Sequence, residues 1–144
     1  THVVDMTEAN AHFDFLGYRF KRSGKGKLLR LVRPKSAKKL RESLKRPTKR
    51  CNRDSLEAII DRINPSLRGW FEYFQHAHWS ELVRMDKWVR MRLRSILRKR
   101  HNRRGRGRGL DHMQWPNRYF ENLGLFSLDR AREELMSLRR GVTC

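Results

Sequence analysis

Apolar positions recur with two different spacings along this chain, and the change of spacing divides it. Residues 3–6, 13–20 and 28–32 are short β-rich runs. In the second, Phe13, Phe15 and Gly17 alternate with Asp14, Leu16 and Tyr18, the period of two that a strand requires. Arg22-Ser23-Gly24-Lys25-Gly26-Lys27 separates the last two runs, and its glycines tolerate the positive φ of a hairpin turn. The pattern predicts a β-hairpin over residues 13–33 with a basic tip, ended by Pro34. Beyond it the spacing becomes helical. Residues 35–45 place Ala37, Leu40 and Leu44 on one stripe.

The strongest periodic signal follows. Leu56, Ile59, Ile60, Ile63, Leu67, Trp70, Phe71 and Phe74 fall within about 120° of arc, with Glu57, Asp61 and Glu72 opposite. Asp54 followed by Glu57 fits a capping-box start with Asp54 as the cap. Asn64-Pro65 could begin a second helix, but the unbroken apolar phase favours one kinked helix. Residues 80–101 predict a third helix that buries Leu82, Met85, Val89, Leu93, Ile96 and Leu97. Arg84, Lys87, Arg94 and Arg98 point away from that stripe, with Arg90 flanking. Next comes the Gly/Arg stretch 101–109, read as too flexible to pack and suited to ordering on nucleic acid. Trp115, Tyr119, Phe120 and residues 123–126 then form an aromatic cluster with a small core of its own, and Ser127 caps a last helix that stops at Gly141. The expected fold is mainly α: an N-terminal β-hairpin, a small helical bundle and a short C-terminal helical segment.

Charge sharpens this picture. Among 144 residues, 35 are Lys or Arg and 15 are Asp or Glu, a formal net charge of +20. An ordinary neutral enzyme is excluded, and a polyanion-binding module is implied. Residues 19–53 hold 16 basic residues against Glu42 alone, and residues 84–108 hold 12 against Asp86 alone. These two blocks supply more than the whole net charge and suggest two surfaces, or two walls of one groove. A helix face of cations without an acid among them favours phosphate as its neighbour. Cys51 and Cys144 form no metal-binding pattern and read as two reduced thiols. No stretch approaches the roughly 20 apolar residues of a membrane span.

Four motifs in order resemble a known family: residues 13–20 (FDFLGYRF), 63–74 (INPSLRGWFEYF), 86–94 (DKWVRMRLR), and 115–120 (WPNRYF) with 124–128 (GLFSL). Together they look like the C-terminal part of group II intron-encoded reverse transcriptase/maturases, over nearly the whole chain. The resemblance implies three segments: residues 1–33 as the end of the palm, residues 34–104 as the thumb or X (maturase-specific) helical domain, and residues 105–144 as an Arg/Gly linker with a small C-terminal segment. Phe15, Leu16 and Gly17 match the family's primer grip. The chain would then be the tail of something longer. The helical middle implies group II intron RNA as partner and, during copying, template-primer duplex beside a palm and fingers supplied elsewhere. The RNA-binding candidates are Lys35, Lys38 and Lys39, then Arg84, Lys87, Arg90, Arg94 and Arg98, then Arg103, Arg104, Arg106 and Arg108. The C-terminal segment sits where the family carries a DNA-binding region, which implies target-DNA contact by Arg118, Arg130 and Arg132.

The family's polymerase site needs an Asp pair that binds Mg²⁺, and no Asp-Asp pair occurs in this sequence. The chain alone is therefore expected neither to polymerise DNA nor to hold a cofactor, with Mg²⁺ expected only alongside the missing palm. A bacterial-type cytoplasmic location, associated with nucleoid or ribonucleoprotein, is the corresponding expectation, with no membrane partner. The competing readings are a generic basic RNA- or DNA-binding protein and, more weakly, a nuclease built on His101-Asn102 and Asp111-His112. His76 and His78, two residues apart, do not share a helix face and read as surface or boundary histidines.

Overall fold

The computed structural model describes residues 11–142. The strand expected over residues 3–6 and Cys144 lie outside the described residues, while Cys51 is exposed. Elements run in the order β1 (His12–Phe15), β2 (Tyr18–Arg22), β3 (Leu28–Val32), α1 (Pro34–Lys45), α2 (Leu56–Phe74), α3 (Trp79–Arg100), α4 (Asp111–Gln114), α5 (Asn117–Asn122) and α6 (Leu128–Val142). The fold is mainly helical, as expected, but its N-terminal part is a three-stranded antiparallel sheet in the order β1-β2-β3 rather than one hairpin.

The additional strand arises from a reversal inside what reads as one alternating run. Phe15 pairs with Tyr18 and Phe13 with Phe20, so only Leu16 and Gly17 form the turn. Both have positive φ, 51° and 83°, the geometry of a two-residue primed turn whose twist matches the flanking strands. Two alternating pairs flanking an x-Gly dipeptide carried this signal. The basic tip of the second hairpin is as expected. Ser23 closes it, its N–H bonded to the Lys27 carbonyl at 2.7 Å and its hydroxyl accepting the Lys27 N–H at 3.1 Å.

α2 runs unbroken through Pro65, and its predicted stripe is the one turned to the core. Its cap is Ser55 rather than Asp54: the Ser55 hydroxyl accepts the Ala58 N–H at 3.2 Å. Asp54 instead pairs with Arg62 at 3.1 Å. α3 buries all six predicted residues, and His78 caps it through Nδ1, which accepts the Ser80 N–H.

The aromatic cluster near the C-terminus does not form a core of its own. Trp115, Phe120, Leu125 and Leu128 join the cluster built by α1, α2 and α3, because those three helices leave an apolar face that needs a further layer to keep water out. Asn64, buried in α2, secures this contact by donating to the Gly124 carbonyl at 2.8 Å and accepting the Phe126 N–H at 2.9 Å. Ser127 begins α6 as expected, its hydroxyl accepting the Arg130 N–H at 3.3 Å. Asp86 of α3 completes that helix start by accepting the N–H groups of Leu128 and Asp129, both at 2.9 Å. The helix continues through Gly141 to Val142.

Candidate nucleic-acid interface

The cations of α3 fall into two sets that the sequence does not distinguish. Arg84 and Lys87 are exposed, with Arg84 3.6 Å from Glu81, so an acid does share that face. Arg90 is half-buried. Arg94 lies inside: it is 2% exposed, sits 5.2 Å from the Phe120 ring centroid, and donates to the Trp115 carbonyl and Asn117 Oδ1, both at 2.9 Å. Burial, with Arg90 nearby, pulls its guanidinium below its ordinary basicity, while Asp111 opposes that shift. The expectation that Arg94 faces outward is corrected, because the segment after Gly109 folds back and covers that side of α3. Arg98 is likewise diverted, to Asp111 at 2.8 Å and the Arg104 carbonyl at 2.6 Å.

The Gly/Arg stretch is correspondingly packed rather than free. Gly107 donates its N–H to Ser95 Oγ at 3.1 Å and approaches α3 so closely that a Cβ there would lie 2.5 Å from Arg94 Cβ. Asp111, 1% exposed, accepts the Arg108 N–H at 2.8 Å and faces Arg98 and Arg103. Burial alone would raise the Asp111 carboxyl. The Arg108 N–H and the two guanidiniums outweigh it and hold the group below the usual carboxylate range. Arg103, Arg104, Arg106 and Arg108 nevertheless remain exposed.

Three further arginines, absent from the sequence-derived candidates, tie distant segments together. Arg92 donates to Thr48 Oγ1 at 3.1 Å and to the Lys45 carbonyl at 2.9 Å. Arg100 bonds the Asn52 carbonyl at 3.0 Å and also the Asp54 carbonyl. Arg50 reaches the Arg103 carbonyl at 3.4 Å. The linker after α1 thus lies against the end of α3, and the two basic blocks meet there. Lys49, Arg53, Lys99, Arg103 and Arg104 are exposed around this junction, and a cleft of about 370 Å³ lined by Arg46, Lys49, Asn52 and Arg62 adjoins it.

Lys35, Lys38 and Lys39 are exposed on the first turns of α1, away from that junction. Lys39 lines a groove of about 660 Å³ between α1, α2 and the Leu16-Gly17 turn, together with Arg33, Ser36, Trp70 and Tyr73. The turn is anchored on this groove. Gly17 offers its carbonyl to the Arg33 N–H at 2.9 Å and its Cα faces the rings of Tyr73 and Phe74, where a Cβ would lie 3.3 Å away. Phe15 and Leu16 are 61% and 67% exposed. Of the other candidates, Arg118 is exposed on α5, Arg132 is half-buried on α6, and Arg130 is shared between Glu121 at 3.1 Å and Glu134 at 3.6 Å.

The nuclease residues have structural partners: His101 Nδ1 lies 2.8 Å from the Leu97 carbonyl, and Asp111 is taken up as described. Among the described residues no three His, Cys, Asp or Glu side chains come together to hold a metal. No helix among the described residues is long and apolar enough to cross a membrane.

Fold and charge together define the class: a small helical module carrying one strongly cationic end. The profile of the group II intron maturase-specific domain matches residues 37–115, more than half of the chain. The chain belongs to that family, and its role accordingly lies in group II intron splicing, with intron RNA the implied partner. No curated protein matches it.

Proposed function

We propose that this chain grips structured group II intron RNA and stabilises its splicing-competent fold, the ribozyme supplying the chemistry. The observation that carries this reading is the junction where Arg50 and Arg100 join the two basic blocks and leave the neighbouring cations exposed. Outward cations contact phosphate, which positions RNA without reading its sequence, and selectivity comes from RNA shape and unstacked bases. If roughly six to ten phosphates are contacted, affinity for an intron transcript falls by roughly 10³ to 10⁵ between 50 and 200 mM salt. Salt-insensitive affinity would overturn the reading. Equal affinity for unrelated structured RNA in competition would instead favour a generic basic binder.

The groove beside Leu16-Gly17 supports a second role, in which that turn and Lys39 lie along template-primer duplex when a palm is supplied elsewhere. Its test is primer extension after adding a separate palm and fingers fragment. Restored extension supports the role; none leaves splicing assistance alone.

A further inference from the structure

The loop that closes on Asp111 carries an apolar tip used by none of these roles. Leu110 is 76% exposed and Met113 79%, the two most exposed large apolar side chains among the described residues. Asp111 and Trp115, four residues apart, face inward at 1% and 5%, which leaves Leu110 and Met113, three apart, together on the outer side. Scattered exposed leucines need no explanation. These two differ because Arg103, Arg104, Arg106 and Arg108, all exposed, precede them in the same loop. The loop is also held before any ligand arrives, by Asp111 and by the Gly107 contact with α3, which reduces the ordering cost of binding.

We infer that Leu110 and Met113 form a wedge that covers the faces of unstacked bases in a loop or bulge of structured RNA, while the exposed arginines of the same loop hold the flanking phosphates. The inference rests on the RNA reading above. Apolar faces beside closely spaced anions are what single-stranded nucleotides present, and leucine and methionine serve as wedges between bases elsewhere. In a duplex the base steps must first be unstacked at an energetic cost, so the wedge favours bases that are already unpaired. A protein partner would need a dense acidic rim around a hydrophobic patch only two side chains wide.

The test compares the full chain with a Leu110→Ser/Met113→Ser double variant on two probes: an RNA hairpin with 2-aminopurine in its loop, and a fully paired RNA of equal length. Both substitutions are on exposed side chains, and unchanged circular dichroism confirms the fold. A Leu110→Ile/Met113→Leu variant keeps the apolar surface. The double Ser variant is expected to bind the hairpin several-fold more weakly, with the salt slope unchanged, the paired RNA unaffected and the conservative variant normal. The wild-type chain is expected to enhance loop fluorescence and the Ser variant is not. Undiminished hairpin affinity in the Ser variant overturns the wedge and leaves the RNA reading standing. So does a wild-type dimer that the Ser substitutions convert to a monomer at full RNA affinity. A wild-type chain that binds neither probe overturns the wedge, and the RNA reading falls with it only where an intron transcript is not bound either.

Discussion

The hydroxyl of Tyr18 donates to the Tyr73 carbonyl at 2.6 Å, and the hydroxyl of Tyr73 donates back to the Leu16 carbonyl at 2.6 Å. Their rings stack with centroids 6.3 Å apart. This reciprocal pair fastens the Leu16-Gly17 turn to the C-terminal end of α2 and thereby fixes one wall of the groove. Tyr73→Phe should cost about 0.5 to 1.5 kcal/mol, the usual net value of one hydrogen bond. Because the two bonds brace the same turn, Tyr18→Phe and Tyr73→Phe should be non-additive in a urea-denaturation double-mutant cycle.

Asp111 organises the basic loop, so Asp111→Asn should free it from α3. The loss leaves Arg98, with a side chain only 12% exposed, short of its carboxylate, and should cost about 3 kcal/mol. Amide exchange should rise first at Gly107 and Arg108.

The two buried carboxylates titrate in opposite senses. The folded-state pKa of Asp111 is depressed, so its contribution is present above the unfolded carboxylate value and is lost as pH falls through the lower folded value. Burial raises Asp86, although the N–H groups of Asp129 and Leu128 counter it, so its titration favours the folded state as pH falls. Thermal melts from about pH 2 to 7 should show a shallower acid decline for Asp111→Asn than for the parent chain. Asp86→Asn should show a steeper one, having lost the group that opposes it.

Inward and outward arginines should separate by what they change. Arg94→Met should destabilise the fold by about 1 to 3 kcal/mol by removing a charged hydrogen-bonding group from the Trp115 carbonyl, yet leave the salt dependence of RNA binding unaltered in the folded fraction. Lys35→Gln/Lys38→Gln/Lys39→Gln should leave stability within about 0.5 kcal/mol and reduce the salt slope by roughly 2 to 3. Point variants at Arg118 and Arg132 are likewise the way to test target-DNA contact. Removing residues 109–144 would also remove Trp115, Phe120 and Leu128 from the core.

Helical order, the continuous passage through Pro65 and the core-facing stripes of α2 and α3 were legible in the sequence because each depends on spacing within one segment. The hairpin's basic tip was legible for the same reason. The turn at Leu16-Gly17 was only partly so: an x-Gly pair between alternating aromatics signals it, but an uninterrupted strand has the same local pattern. What the tertiary structure alone decided was the use of each arginine and lysine. On α3, Arg84 and Lys87 face solvent while Arg94 faces Phe120, and no local rule separates them. A guanidinium is fixed by carbonyls and carboxylates that other segments bring within reach, such as the Lys45 carbonyl 47 residues from Arg92. Only the folded chain determines which cations remain for a phosphate.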